Sequence, residues 1–232
     1  MSWCSPFCPW DDGYNPIDSI FFKRCDEQIA SWDDLQHPRE VMRYRPEHKV
    51  EIHQKIVKDA SRRVRAEGLN GAAVATVMRD TGLTHGGFYK HFGSKDDLLM
   101  ESLREAFREI ADSLIRAAEQ SRPRAAWKAI VKTYLSLERC DQRESGCPLT
   151  ALAPELARVD EGMKGQILAE LVNYKNQMVP FMPGRRAADK ERVFFVIFST
   201  MIGSIAIARM LPEPAMRERV LANARDFLLH SF

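Results

Sequence analysis

The sequence predicts an all-α protein with an N-terminal three-helix, helix-turn-helix head and a larger C-terminal helical domain. From Pro46 onward, apolar residues recur at a spacing of three or four almost without interruption, which is the period of helices that bury one face. Two of these segments meet at a short turn around Gly82, and a helix–glycine–helix turn is the helix-turn-helix signature. No segment shows the alternation typical of a β-strand.

The composition fits a soluble protein. The chain has 232 residues, of which 45% are hydrophobic and 28% charged, and its net charge is +2. The acidic N-terminus lacks a positively charged start followed by an apolar block, so no secretory signal is predicted. Five cysteines without framework spacing predict reduced thiols and a cytoplasmic protein. We predict no cofactor. We also predict no membrane partner, because the longest apolar run, Val193 to Ala208, is shorter than the ~20 residues that span a bilayer; this run predicts a buried helix.

Three segments divide the chain. Residues 1–41 mix Pro, Gly, Asp and three tryptophans without a helical or strand period, which predicts a poorly ordered extension; translation starting at Met42 is the alternative. Cys4 and Cys8 have Pro6 between them and no second ligand pair after them, so no metal site is predicted. Residues 42–94 form the predicted helix-turn-helix domain, and residues 95–232 form the predicted effector-binding and dimerisation domain.

The helices of the head can be placed in order. Helix 1 begins near Pro46 and is closed by Gly68, helix 2 covers residues 74–81, and helix 3 covers residues 84–92, with Thr84 as its cap. Gly82 ends helix 2 because only glycine adopts the left-handed conformation there without strain. Ser94 caps the long helix 4, which would couple the head to the second domain.

The second domain continues with longer helices. Apolar periodicity predicts one helix around residues 127–135, one that begins at Cys147-Pro148, one over 165–182, one over 189–211 and a last one over 214–229.

Basic residues concentrate around the predicted helix-turn-helix. From Met42 to Lys95 there are eleven Lys and Arg residues against five Asp and Glu residues, a net charge of +6. Such a cluster is the electrostatic footprint of a phosphate-binding surface. A solvated helix face is the alternative for the charges alone, and the turn motif favours DNA.

Helix 3 carries the residues suited to DNA. Gly86 and Gly87 each cost about 1 kcal/mol of helix propensity, which is explained if the backbone must approach a groove closely; relief of crowding against helix 2 is the alternative. Thr84 and His85 lie at the leading end, where they could reach base edges or phosphates. Tyr89 and Lys90 carry a hydroxyl and an ammonium group suited to phosphate oxygens, and Lys95 adds a cation at the first turn of helix 4.

Residues 50–107 resemble the DNA-binding head of the tetracycline-repressor (TetR) family of bacterial regulators. The similarity is carried by V-A-T-V-M-R-D-T-G-L-T-H-G-G-F-Y-K-H-F-G-S-K-D-D-L-L, from Val74 to Leu99. The resemblance implies an all-α dimer that binds double-stranded operator DNA and a small-molecule effector, with release from the operator as the usual response. It further implies the residues that contact DNA: Thr84, His85, Tyr89, Lys90, His91 and Lys95.

Cys147 is a candidate sensor. It precedes Pro148 at a predicted helix start, where the peptide dipoles favour a thiolate, and the G-C-P-L-x-A-L string resembles one branch of the family in which some members respond to electrophiles or oxidants. A small residue that fills a helix start is the alternative. A thiol enzyme is a weaker alternative, because no histidine lies between His91 and His230 to serve as the base. We therefore predict that the protein is not an enzyme.

The far helices predict a dimer and a pocket. Small residues Ser199 and Gly203 lie four apart in an apolar helix, which allows close helix approach, and this predicts a homodimer through helices 190–211 and 214–230; an intramolecular core is the alternative. Residues of the second domain that could line an effector pocket, most of them apolar or aromatic, are Trp127, Tyr134, Leu171, Tyr174, Met178 and Phe195.

Overall fold

The computed structural model describes residues 46–72, 74–82 and 84–232, and it gives only the backbone of residues 46, 47, 71, 72, 74, 75, 80, 81 and 85. The predicted extension 1–41, including Cys4 and Cys8, lies outside the described residues. Within them the protein is all-α, as predicted. Its helices are α1 Pro46–Glu67, α2 Val74–Thr81, α3 His85–Phe88, α4 Lys95–Glu119, α5 Ala126–Tyr134, α6 Leu137–Asp141, α7 Pro148–Leu156, α8 Glu161–Met178, α9 Ala187–Met210 and α10 Pro214–Ser231.

Local sequence signals set most boundaries of the head. Gly68 and Gly82 have φ of +83° and +72°, which confirms their left-handed roles at the ends of α1 and α2. Ser94 Oγ accepts a hydrogen bond of 3.0 Å from the Asp97 amide, so the cap of α4 is also confirmed. In contrast, α3 ends at Phe88 rather than at residue 92.

The short α3 has a physical cause. The His91 amide bonds to the Phe88 carbonyl at 2.8 Å, which is the three-residue spacing of a tightened final turn. The two glycines give α3 little intrinsic stability, and the chain must turn before α4 begins. Thr84 occupies the N-cap position, but its side chain makes no capping hydrogen bond, so this part of the prediction was wrong.

Three apolar clusters form the core, and α4 contributes to all of them. Leu98 packs with Phe88 and Phe92 in the head, Leu103 packs with Val64 in a middle cluster, and the C-terminal half of α4 enters the main core of the second domain. Residues 46–232 form one compact unit. The domain boundary at 94/95 therefore stays a prediction, because one helix continues through it.

The helices of the second domain agree with the periodicity to within a few residues. α8 begins at Glu161, earlier than predicted, because the Asp160 carboxylate accepts a hydrogen bond of 3.0 Å from the Met163 amide and caps the helix. Residues Val179–Phe181 form a separate 3₁₀ turn, so the helix stops before the predicted end at 182.

α9 is buried on one side only. Within the described residues it is the one helix long and apolar enough to cross a membrane by length and composition. Val193, Ile197 and Met201 pack in the main core, whereas Phe195 and Met210 are exposed. The prediction of a buried helix therefore holds for one face and is wrong for the other.

Candidate nucleic-acid interface

The turn between α2 and α3 presents α3 at the surface of the head. The Gly82 amide bonds to the Arg79 carbonyl at 3.2 Å, and the Gly87 amide bonds to the Thr84 carbonyl at 2.8 Å. These bonds close α2 and open α3 on either side of position 83, which lies outside the described residues. Phe88 then anchors α3 in the head core, where it is fully buried, and the opposite side of α3 is left to the solvent.

The exposed side of this segment carries most of the predicted DNA-binding residues. Thr84, Gly86, Lys90 and Lys95 are exposed, and Tyr89 is 63% exposed with its ring edge-on to Phe88. Because Thr84 does not cap α3, its hydroxyl is left available. The side chain of His85 lies outside the described part of the structure, so its predicted contact stays a prediction.

Gly86 has room around it. A Cβ added to this residue would meet no atom of the described residues within 4 Å. Among the described residues, nothing around position 86 therefore supports the alternative of crowding against α2. A backbone without a side chain on an exposed helix face is suited to close approach by a flat or grooved surface.

His91 is less exposed than the other candidates. It is half-buried, and its Nδ1 has no hydrogen-bond partner among the described residues. Burial first, and then the nearby His53, lower the pKa of His91. The rings of His53 and His91 are 5.9 Å apart. A neutral ring in this place is a weaker phosphate ligand than Lys90, so its contact with DNA stays a prediction.

Two contacts between α1 and α4 were missed by the sequence reading. His53 stacks on Phe92 with 4.6 Å between ring centroids, and its Nε2 lies 2.6 Å from Glu101 Oε2. Arg65 is buried, and its Nη2 donates to Glu109 Oε2 at 2.6 Å. The burial of Arg65 could have been predicted from its position: it follows Val57 by eight residues, about two helical turns, and Val57 lies on the packed side of α1.

Arg65 joins three parts of the protein. Its Nε donates to the Ser61 carbonyl at 3.1 Å and its Nη1 to the Gly146 carbonyl at 3.4 Å. It therefore links α1 to α4 through Glu109, and to the residue before Cys147. Arg65 was counted in the basic cluster of the sequence, but a buried, paired guanidinium adds little to a surface that attracts DNA.

Cys147 lies near two buried side chains that carry hydroxyl groups. It occupies the N-cap position of α7 with Pro148 at the first helical position, as predicted, and is 3% exposed. The Tyr134 hydroxyl pairs with Thr150 Oγ1 at 3.0 Å. Burial first, and then Cys147, raise the pKa of Tyr134 and of Tyr174 well above the usual value. The two tyrosines and the thiol thus lie near one another inside an apolar core.

The predicted pocket residues do not form one cavity wall. Trp127, Tyr134, Tyr174 and Met178 are buried, and Leu171 is partly buried. Tyr174 also borders a cleft of about 470 Å³ that opens between α1, α4 and α8, whereas Trp127 borders a different cleft. Phe195 is 57% exposed on α9. Among the described residues, no group of three or more His, Cys, Asp or Glu side chains could hold a metal ion.

An all-α chain with this turn, an exposed glycine-containing helix and a helical body has the architecture of helix-turn-helix regulatory proteins. The family described as bacterial regulatory proteins, tetR family, matches residues 56–101. The HTH-type transcriptional regulator BetI of Stenotrophomonas maltophilia (strain R551-3) is 30% identical over 128 residues, which cover 52% of this chain. The match covers 65% of that relative, less than two thirds of its length.

Solved structures show the same fold. A TetR transcriptional regulator from Chloroflexus aurantiacus J-10-FL has a TM-score of 0.65 and 20% identity, and the match covers 79% of this chain and 96% of that one. A TetR-family regulator from Cytophaga hutchinsonii has a TM-score of 0.64 and 17% identity, with 78% and 95% covered. Over residues 56–101 the chain is similar to the TetR family of bacterial regulatory proteins, and its fold is that of the TetR-family structures.

Proposed function

We propose that the protein is a sequence-specific DNA-binding transcriptional regulator. The observation that carries this proposal is the exposed surface of α3, where open space around Gly86 adjoins Tyr89, Lys90 and Lys95. A helix that presents a bare backbone beside cations is suited to the major groove and its phosphates. The similarity of residues 56–101 to the TetR family supports it. A cytoplasmic location follows from this role.

The phosphate contacts are tested by removing one cation. Lys95→Ala should weaken binding to all DNA sequences by a similar factor and lower the slope of log affinity against log salt by about 1. Fluorescence anisotropy with an operator selected from genomic fragments, and with an unrelated duplex, measures both quantities. Lys132→Ala is the control, because Lys132 is exposed on α5. An unchanged salt slope for Lys95→Ala contradicts the proposed contact.

We further propose that a small-molecule effector releases the protein from its operator. The Tyr174 hydroxyl is buried without a hydrogen-bond partner among the described residues, and its side chain borders the cleft of about 470 Å³. An unpaired buried hydroxyl is costly unless something can pair with it. An effector with an apolar body and one polar atom would suit this place. The test uses a compound that releases the wild-type protein from its operator. If Tyr174→Phe stays bound to the operator at every concentration of that compound, the effector site at Tyr174 is supported. If the compound releases Tyr174→Phe as it releases the wild type, the effector site at Tyr174 is contradicted.

Oxidation or alkylation of Cys147 is the second candidate signal. The thiol is at a helix start and close to Tyr134, but it is nearly inaccessible in this conformation. Mass spectrometry after mild oxidation tests this candidate. If Cys147 stays unmodified while other thiols react, a sensor role for Cys147 is contradicted.

The dimer is proposed to form through residues 190–211 and 214–230. Phe195 and Met210 on α9 and Phe227 on α10 are exposed and apolar, and in the described part of the chain a Cβ at Gly203 would meet no atom within 4 Å. A second copy would cover this surface through a two-fold, self-complementary contact. It would also place two α3 helices for half-sites about one DNA turn apart.

Phe195→Glu should reduce the mass in sedimentation velocity from the dimer to the 26.6 kDa monomer, because two carboxylates would be buried at the contact. Leu168→Glu is the matched control: Leu168 is 60% exposed but lies on α8. A dimer that survives Phe195→Glu and is broken by Leu168→Glu contradicts the assignment of the interface.

A further inference from the structure

An open cleft of about 780 Å³ lies where the head meets the second domain. Arg62 and Arg65 of α1 form one side, and Arg139 of α6 and Arg143 of the following 3₁₀ turn form the other. This volume is within the range of sites for small molecules. The cleft is separate from α3 and from the cleft that Tyr174 borders.

The acidic residues of the cleft leave several arginines without an ionic partner. Glu109 is engaged by Arg65 at 2.6 Å, and Asp141 is engaged by Arg217 from α10. Glu144 is the remaining carboxylate of the lining. Three guanidinium groups, those of Arg62, Arg139 and Arg143, therefore face one unengaged carboxylate, and in the described part of the chain none of the three has an ion pair.

Arg139 is held in place by neutral groups. Its Nη2 donates to Ser113 Oγ at 2.8 Å and its Nη1 to the Ser145 carbonyl at 3.3 Å. These acceptors orient the guanidinium without neutralising its charge. A planar guanidinium fixed in this way can offer its remaining N–H groups to two oxygens of one anion.

We propose that this cleft binds a small oxyanionic metabolite, one that carries carboxylate or phosphate groups, between Arg62 on α1 and Arg139 and Arg143 on the opposite side. Three features suit such a ligand: the guanidinium groups without an ion pair, the fixed orientation of the Arg139 guanidinium, and the volume of the cleft. The oxygens of the ligand would replace water around three cations that line one cleft.

Binding there would add a link between the head and the second domain. Arg65 already joins α1 to Glu109 and to the Gly146 carbonyl, and the anion would join α1 to the same loop through different side chains. The link favours the orientation of α1 that the cleft requires, and a ligand shifts an equilibrium toward the state it binds better. Any effect of the anion on operator binding rests on the proposed function as a DNA-binding regulator. The binding of the anion to the cleft does not rest on it.

Isothermal titration with pyrophosphate and with citrate, at an ionic strength kept constant by sodium chloride, tests the cleft without DNA. Arg62→Gln and Arg143→Gln should each weaken binding about tenfold, because each loses a charge-assisted hydrogen bond. Both residues are exposed, so the unliganded variants should keep the wild-type circular dichroism. Arg158→Gln, at an exposed arginine outside the cleft, should bind as the wild type does.

The two probes separate the chemical classes: tighter pyrophosphate binding identifies a phosphate ligand, and tighter citrate binding a carboxylate ligand. Anions could also bind the surface at α3, so the variant with both Lys90→Gln and Lys95→Gln is included and should keep wild-type affinity. The proposal is overturned if neither probe binds, or if binding is lost in the lysine variant and kept in Arg143→Gln. Because no DNA is present, failure here leaves the proposed regulator role standing.

Discussion

Arg65→Ala should lower the free energy of unfolding by about 3–5 kcal/mol, the range for breaking a buried ion pair from one side. The substitution leaves the Glu109 carboxylate without its guanidinium and removes donors from the Ser61 and Gly146 carbonyls. The two carbonyls belong to buried residues, and Glu109 is 29% exposed beside the cleft; each of these groups loses a partner. Urea denaturation at a fixed protein concentration measures the change, since a dimer's stability depends on concentration.

Two further variants test whether the loss of stability in Arg65→Ala comes from the burial of its ion pair. Arg63→Ala, two residues away, breaks the pair with Glu67 at 3.2 Å; because Glu67 is largely exposed, the loss should stay below about 1 kcal/mol. The double variant Arg65→Met with Glu109→Leu removes both charges and should recover much of the stability lost in Arg65→Ala. A loss in Arg65→Ala no larger than that in Arg63→Ala would show that Arg65 does not hold α1 to α4.

Gly86→Glu should reduce operator affinity at least about a hundredfold, because a carboxylate set against DNA phosphates costs several kcal/mol. The protein should remain folded, since the space around position 86 is open. Gly86→Ala separates the two causes: it adds one methyl group without charge, should leave the free energy of unfolding within about 1 kcal/mol of the wild type, and should still weaken binding if the backbone approaches the groove closely.

Gly165 provides the matched control. It is another exposed helical glycine around which a Cβ would meet no atom within 4 Å, and it lies on α8 in the second domain. Gly165→Ala and Gly165→Glu should leave operator affinity unchanged in the same anisotropy assay. If Gly86→Glu binds the operator as tightly as Gly165→Glu does, α3 does not face the DNA.

Much of the head could be predicted because its signals are local. Gly68 and Gly82 adopt the left-handed conformation that glycine tolerates, and Ser94 caps α4. The prediction failed where two local tendencies competed: α3 was expected to reach residue 92, but two glycines and the turn into α4 shorten it. Thr84 was given a capping role from its type alone, and side-chain direction decided otherwise.

The candidate sites were less predictable. The exposure of the α3 face follows from helix periodicity, because Phe88 and Phe92 occupy the buried side. The approach of Cys147 to Tyr134 and Tyr174 does not follow, since these residues come from three separate segments. The exposure of Phe195 was also missed, because an apolar residue in an apolar helix gives no indication of which side is covered.

The sequence by itself determined the helical fold and the position of the helix-turn-helix, because periodicity, caps and turn glycines act over a few residues. The tertiary structure decided which charges are buried and which remain free. Arg65 and Arg62 are three apart in a basic run of α1 and line the same cleft, yet Arg65 is buried and paired with Glu109 while Arg62 is exposed. The physical reason is that the cost of a charge depends on its distance from water and from a partner on another helix, and only packing sets those distances.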